Sequence, residues 1–247
     1  MKKNYKMIVM YDGSRYHGWQ RLPSKETIQG KIEQVLSKMC NKEGIEIIGA
    51  GRTDAGVHAK GMVFNVNLET DFETTQIKTY LNTYLPEDIA VLEVREASYR
   101  FHARYNAIGK SYCYTCYDGE GKPVFDRKYV NTLETSPNLE KMREVATVLT
   151  GEHDFRNFCM NPSKKKSTVR NVDRIEIVKE NDRIYFHFHG NGFLQNMVRI
   201  LVGTLLEVGY GRMSKEQVVE VLEMKERKKA GPTAPAKGLC LMNVDYD

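Results

Sequence analysis

Residues 49–61 read GAGRTDAGVHAKG, and they separate two apolar runs, residues 45–48 and 62–66, that are typical of β-strands. The four glycines of this stretch allow tight turns and let a bulky ligand approach the main chain closely. Asp54 lies at the centre. The stretch therefore predicts a loop at a strand end that presents one carboxylate.

Two interpretations of Asp54 follow from the loop alone. In the first, its side chain only bonds the neighbouring backbone in an Asx turn, which is the ordinary role of aspartate in a glycine-rich loop. In the second, Asp54 is a reactive carboxylate, with Arg52 available for a phosphate and with Ala55 and Gly56 leaving room for a planar substrate. The loop by itself favours the turn.

The pattern of apolar residues predicts one order of elements that is used twice. In the first half, a strand at 7–11, a helix from about Thr27, strands at 45–48 and 62–66, a helix that stops before Pro86 and a strand at 89–94 give β-α-β-β-α-β. The second half has a strand at 112–117, a helix capped by Ser136, strands at 172–178 and 184–189, a long helix from Leu194 to Gly209, a helix with a Ser214–Gln217 capping box and a strand at 239–244.

Composition sets broad limits on function. The 247 residues carry a formal charge of +5, which suits a polyanionic partner but is common in proteins without one. No apolar run approaches the length of a membrane span, and five scattered cysteines are typical of reduced thiols. We expect a cytoplasmic protein with no membrane association.

A metal site is not predicted. Cys113 and Cys116 lie three apart in a strand-like run, so they should point to opposite faces, and one pair cannot complete a tetrahedral site. His187 and His189 share a strand face but lack a third ligand.

The stretch at 50–59 closely resembles the signature of the tRNA pseudouridine synthase A family, in which the aspartate attacks the target uridine. Further blocks follow in the family's order, at residues 11–21, 101–104, 192–199 and 234–239. The resemblance therefore spans nearly the whole chain, and it makes the reactive interpretation of Asp54 the favoured one.

The resemblance implies an α+β fold of two ferredoxin-like, RRM-like halves related by a pseudo-twofold. Their sheets would join into one antiparallel platform with a central catalytic cleft. The boundary should fall near residue 105, with residues 1–105 carrying the Asp54 loop and residues 106–247 carrying Tyr112 and Arg199. A homodimer that binds tRNA across both subunits is also implied.

The implied reaction isomerises uridine to pseudouridine at tRNA positions 38, 39 and 40. It breaks the bond from C1′ to N1, turns the base and joins C1′ to C5, so no cofactor is required. Asp54 would be the nucleophile. Attack at C1′ or at C6 stays open, as does the base that takes the C5 proton.

The resemblance also assigns partners for Asp54. Arg199 matches the arginine that pairs with the catalytic aspartate, although an arginine at the edge of an apolar helix stripe is usually a snorkelling flank residue. Tyr112 matches the tyrosine that stacks on the target uracil, with Tyr114 as its rival on the same strand face. Ser111 replaces a basic residue that is commoner in the family.

The target base must be flipped out of its arm, and Arg52 and His58 are placed to bind the opened strand. Basic segments at 164–166 with Arg170, and at 227–229, are either solvated loops or phosphate contacts. Two other functions stay open: a non-catalytic tRNA-binding module, and a glycosidic-bond hydrolase that would need a second carboxylate.

Overall fold

The structure is a computed structural model that describes residues 2–162, 166–223 and 230–247. It contains two compact units, Met1–Ile108 with Cys240–Asp247, and Gly109–Leu239. The described residues form five α-helices and eleven mostly antiparallel strands, so the chain is an α+β protein. The C-terminal segment, which the sequence assigned to the second half, is grouped with the first unit.

The first unit has the element order predicted for it. Strand β1 (Lys3–Tyr11) lies between β3 (His58–Leu68) and β4 (Ile89–Ala97), antiparallel to both. The short strand β2 (Ile48–Gly49) is antiparallel to β3, which gives the strand order β4-β1-β3-β2 of a ferredoxin-like unit. The last strand, β11 (Leu239–Asp245), runs parallel to the start of β3 through Cys240 and Leu241.

Two helices of this unit connect these strands. Helix α1 (Ile28–Met39) starts after Thr27, whose hydroxyl accepts a hydrogen bond from the Gly30 N–H, and it buries Ile28, Ile32 and Leu36 completely. Helix α2 (Thr74–Tyr84) ends before Pro86, as predicted. The Thr27 cap of α1 and the end of α2 before Pro86 confirm these two predicted helix bounds.

The predicted strand at 45–48 is wrong for most of its length. Ile45 and Ile47 are buried, which accounts for the apolar run, but only Ile48 and Gly49 pair with β3. The Ile47 N–H instead donates to the buried carboxylate of Glu33 at 3.0 Å. A side-chain acceptor on α1 therefore takes the place of a strand partner, which a local pattern does not reveal.

The second unit contains additions to the simple pattern. Its elements are β5 (Gly109–Tyr117), β6 (Asn131–Thr132), α3 (Leu139–Leu149), β7 (Gly151–Asp154), β8 (Val169–Val172), β9 (Arg174–Glu180), β10 (Arg183–Gly190), α4 (Met197–Gly209) and α5 (Lys215–Glu223). Strand β10 lies between β5 and β9, while β7 and β8 form a separate pair. Helix α4 is apolar on nearly all sides and is almost entirely buried.

Three predicted bounds in this unit change. Asn138, and not Ser136, caps α3, because its side-chain oxygen accepts from the Lys141 N–H at 3.0 Å, while Ser136 donates to Asp118. Asn196 has a left-handed φ of 61°, so α4 begins at Met197 and not at Leu194. The predicted strand at 172–178 is divided between β8 and β9. The Ser214–Gln217 capping box is confirmed by bonds of 2.8 and 3.3 Å.

Candidate functional site

The Asp54 loop joins β2 to β3 and contains a tight turn. The Asp54 carbonyl accepts a hydrogen bond from the Val57 N–H at 3.1 Å, and Gly56 between them has a φ of 77°, which favours glycine. Asp54 itself is half-buried, while Thr53 and Val57 on either side are buried. The carboxylate is thus carried by a short turn whose two ends are anchored in the unit.

A second loop, residues 12–19, holds this turn in place. The Trp19 N–H donates to the Thr53 carbonyl at 3.1 Å, and the Gly56 N–H donates to the Tyr16 carbonyl at 3.3 Å. The hydroxyls of Tyr11 and Thr53 share a buried hydrogen bond of 2.8 Å. Backbone and side-chain bonds therefore fix the residues on both sides of Asp54.

The two loops approach so closely that glycine is required at two positions. A Cβ at Gly13 would lie 2.0 Å from the Val57 carbonyl oxygen. At Gly18, where φ is 89°, a Cβ would lie 2.6 Å from the Thr53 carbonyl oxygen. Neither glycine had a predicted role, and the only signal for them was their place in the block at 11–21.

His58 follows the Asp54 loop at the first position of β3, and it is only 6% exposed. Its Nδ1 accepts a hydrogen bond from the Gly13 N–H at 3.1 Å and lies 3.1 Å from the Asp12 carboxylate. These contacts connect His58 to the second loop, so a positioning role fits its geometry better than direct contact with RNA. The predicted binding role of His58 stays a prediction.

Arg52 has the opposite environment. Its side chain is exposed at the edge of the same loop, two residues from Asp54. Among the residues that the structure describes, it has no hydrogen-bond or ion-pair partner. An exposed guanidinium of this kind is available for a phosphate of the substrate strand.

Asp88 also anchors the second loop, residues 12–19. It forms an ion pair with Arg15, accepts a hydrogen bond from the Tyr16 hydroxyl at 2.6 Å, and its carbonyl accepts from the Asp12 N–H at 3.0 Å. Burial acts to raise the pKa of Asp88, but the hydrogen bonds from Arg15 and Tyr16 outweigh it and hold that pKa below its usual value of 3.8.

We expect Asp88→Asn to lower the free energy of unfolding by about 1–2 kcal/mol at neutral pH, because the charge-assisted bonds are lost. Since the folded-state pKa of Asp88 is depressed, its stabilisation is complete above the unfolded value and is lost as the pH falls through the folded value. The difference in melting temperature between wild type and variant should therefore shrink below about pH 4. A difference that persists unchanged into strong acid would contradict this assignment.

Tyr112 and Tyr114 lie on β5 of the second unit, and their environments differ. Tyr112 is half-buried, with its ring edge-on to Phe193 at a centroid distance of 5.2 Å. Tyr114 is fully buried, its hydroxyl donates to the Pro235 carbonyl at 2.9 Å, and burial raises its pKa. A fully buried ring cannot stack on a base, so Tyr112 is the better candidate of the two.

Arg199 occupies the third position of α4. Its Nε donates to the Ala234 carbonyl at 2.7 Å, and the Ala234 N–H donates back to the Arg199 carbonyl at 3.0 Å. An arginine whose side chain only extends to solvent would not need the hydrogen bond from Nε to the Ala234 carbonyl. The block at 234–239 thus has a structural function, since Ala234 and Pro235 hold the side chains of Arg199 and Tyr114.

The structure groups the predicted site residues by unit. Asp54, Arg52 and His58 belong to one loop region of the first unit, whereas Tyr112 and Arg199 belong to the second unit. Pairing of Asp54 with Arg199 stays a prediction.

The basic segments give a mixed result. Arg170 donates to the carbonyls of Ser167 and Val169 at 3.0 and 2.6 Å, and burial lowers its pKa, so it is tied to its own loop. Lys164, Lys165 and residues 227–229 lie outside the described residues.

Within the described ranges, no three His, Cys, Asp or Glu side chains are grouped to hold a metal ion. The helices described there include none that is long and apolar enough to span a membrane.

Comparison with known proteins identifies the family. The sequence pattern of tRNA pseudouridine synthases matches residues 7–106 and 145–247 of this chain, which includes the Asp54 loop and α4. The chain belongs to the tRNA pseudouridine synthase family. The match leaves out residues 107–144, where Tyr112 lies.

Named family members are similar along their whole length. A tRNA pseudouridine synthase A of Clostridium kluyveri is 46% identical over 99% of this chain and 100% of its own length. One from Bacillus sp. strain KSM-64 is 48% identical over 98% of this chain and 99% of its own length. Among solved structures, an archaeal box H/ACA sRNP Nop10–Cbf5 complex aligns with 82% of this chain and 44% of that chain at 16% identity, with a TM-score of 0.35.

Proposed function

We propose that this protein is a tRNA pseudouridine synthase that isomerises uridines of the anticodon arm, at tRNA positions 38, 39 and 40. Full-length similarity to named tRNA pseudouridine synthases A is the observation that carries the proposal. The intact GRTDAGVHA loop, anchored on both sides of Asp54, supports a role for that carboxylate. The numbered positions rest on the resemblance to the family.

In this proposal, Asp54 acts as the nucleophile. Its carboxylate attacks the target nucleotide, the bond from C1′ to N1 breaks, and the detached uracil turns while one fragment stays bound to the enzyme. A bond then forms from C1′ to C5, the bond to the Asp54 carboxylate breaks, the C5 proton leaves, and N1 gains a proton. Atoms and electrons balance without a redox partner, so the reaction needs no cofactor.

The other site residues supply charge and shape. Arg199 would offset the desolvation of the Asp54 carboxylate, a role that its clamp to Ala234 supports because the guanidinium is held in one position. Tyr112 would stack on the flipped uracil. Arg52 would bind the backbone of the opened strand, and His58 would position the second loop through its hydrogen bond from the Gly13 N–H.

Two further features complete the proposal. The protein would act as a homodimer with tRNA lying across both subunits, as the resemblance implies, and it would work in the cytoplasm. The positive formal charge of +5 is compatible with a polyanionic substrate.

The test incubates the purified protein with tRNA labelled with tritium at uracil C5, in the presence of EDTA and without added nucleotide. We expect repeated turnover with tritium released to water, and pseudouridine in the digested tRNA at positions 38–40. Free uracil would instead indicate a hydrolase. Tight tRNA binding with no tritium release at any position would indicate a binding module, and either result would overturn the proposal.

Tyr112 offers a test of the stacking role. Tyr112→Ala should lower kcat/KM for tRNA about 10- to 100-fold, because it removes the stacking surface for the extruded base. Tyr112→Phe should retain most of the activity, since the ring survives. Single-turnover tritium release measures both. A complete loss of turnover in the phenylalanine variant would show that the hydroxyl takes part in the chemistry.

A further inference from the structure

An exposed aromatic and cationic surface lies on the loop that follows β4. We define the Tyr99–Tyr105 surface by the side chains of Tyr99, Arg100, His102, Arg104 and Tyr105. We propose that this surface is a second RNA contact, which binds unpaired nucleotides of the tRNA substrate by stacking and phosphate pairing. This inference rests on the proposed function and adds a binding surface that the reaction itself does not require.

The backbone of this loop is fixed by buried amides. The Asn4 side chain is 3% exposed and donates to the carbonyls of Ser98 and Phe101, both at 2.9 Å. Asn65 is 2% exposed, donates to Asn4 at 3.1 Å and accepts from the Ala103 N–H at 2.8 Å. Two strands of the sheet, β1 and β3, therefore hold the loop in one conformation.

Other contacts close the loop from the C-terminal segment and from within. The Tyr246 hydroxyl donates to the Ala103 carbonyl at 2.6 Å, and Ala103 is fully buried. The His102 Nδ1 accepts from the N–H groups of Arg104 and Tyr105, each at 3.2 Å. A loop with so many internal bonds loses little conformational entropy when a ligand binds.

The side chains on this rigid backbone point to solvent. Tyr99 is 84% exposed and Tyr105 is 81% exposed, which is unusual for large aromatic residues. The His102 ring stacks on Tyr105 with centroids 4.1 Å apart and an interplanar angle of 24°. The pair offers a broad flat face, and every nucleobase has a π-face that can stack on it.

The charge of the loop favours a polyanion. Arg100 and Arg104 are exposed, and neither has an ion-pair partner among the described parts of the chain. Residues 98–108 contain no Asp or Glu. Of the four other exposed arginines of this unit, Arg15, Arg21 and Arg95 are already paired with carboxylates. Unpaired guanidinium groups that alternate with exposed rings match the phosphates and bases of a single strand.

Another aromatic surface of the same unit provides a contrast. Phe72, Tyr80 and Tyr84 form a ring cluster on and beside α2, and Tyr84 is 61% exposed. No arginine lies within residues 71–84. Tyr84→Ala is therefore a matched control, since it removes an exposed ring without a neighbouring guanidinium.

The experiment compares four double or single variants of the full-length protein with the wild type. Filter binding gives Kd and its salt dependence for an unmodified tRNA transcript, and single-turnover tritium release at saturating enzyme gives the rate of chemistry. The variants are Tyr99→Ala with Tyr105→Ala, Tyr99→Phe with Tyr105→Phe, Arg100→Gln with Arg104→Gln, and Tyr84→Ala.

We expect the alanine pair to raise Kd about tenfold or more, since each stacked base is lost. The phenylalanine pair should bind like wild type, and the glutamine pair should lower the slope of log K against log salt by about one to two. All variants should keep the single-turnover rate.

Wild-type affinity in the alanine pair would overturn this inference and assign the exposed rings to a protein partner, and an equal loss in Tyr84→Ala would overturn it as well. In either case wild-type tritium release would leave the proposed function intact. A wild-type protein that neither binds nor modifies tRNA would refute both.

Discussion

Asp54→Asn should reduce pseudouridine formation by a factor on the order of 10⁴ or more, because an amide cannot replace the carboxylate as nucleophile. Asparagine has nearly the same size, and the turn at residues 54–57 is closed by the backbone carbonyl of residue 54, which the substitution keeps. The loop should therefore retain its shape. Tritium release from C5-labelled tRNA measures the effect.

The matched measurement is tRNA affinity of the same variant. Kd should change little, since Arg52, Tyr112 and the other proposed contacts remain. Near-wild-type release by Asp54→Asn would refute the nucleophile assignment. A loss of affinity equal to the loss of rate would instead show that Asp54 binds substrate and performs no chemistry.

Gly18→Ala should both destabilise the protein and lower its activity. The residue has a φ of 89°, a conformation that costs an alanine about 1–2 kcal/mol. Its Cβ would also lie 2.6 Å from the Thr53 carbonyl oxygen and 3.2 Å from the Asp54 carbonyl carbon. Because these neighbours are backbone atoms, the clash should add about 1–3 kcal/mol and displace the turn.

A displacement of about 1 Å at a catalytic group can lower the rate about 100-fold. Gly44→Ala is the matched control, since Gly44 has a similar φ of 73° but no atom within 4 Å of its Cβ position. The control should lose only about 1 kcal/mol of stability and no activity. Urea unfolding and tritium release measure both variants. Equal effects at the two glycines would refute the proposed contact between the loops.

Helix bounds show how far a local pattern carries. Thr27, Pro86, Ser214 and Gln217 act through neighbours within a few residues, so their predicted roles are confirmed. Ser136 and Leu194 were placed wrongly, since Asn138 and the left-handed Asn196 decide where those helices begin. Two residues that can both cap a helix and lie close together in the sequence, such as Ser136 and Asn138, are distinguished only by the folded structure.

The site was predictable for a different reason. Asp54 and Arg52 lie in one short glycine-rich stretch, and Tyr112 and Arg199 were carried over from the family. The sequence alone did not separate Tyr112 from Tyr114, because both lie on one strand face. The Tyr114 hydroxyl donates a hydrogen bond to the Pro235 carbonyl, 121 residues away, and this contact shows that the Tyr114 ring belongs to the core.

The family, the order of elements in the first unit and the loop that carries Asp54 could all be predicted from the residues alone, because each depends on residues that are close together along the chain. The side chains that support that loop, and the place where the last strand pairs, are visible only in the folded chain. Gly18 meets Thr53, and Cys240 pairs with His58, only after distant segments fold together. Such contacts depend on chain closure over tens to hundreds of residues, and no local periodicity encodes them.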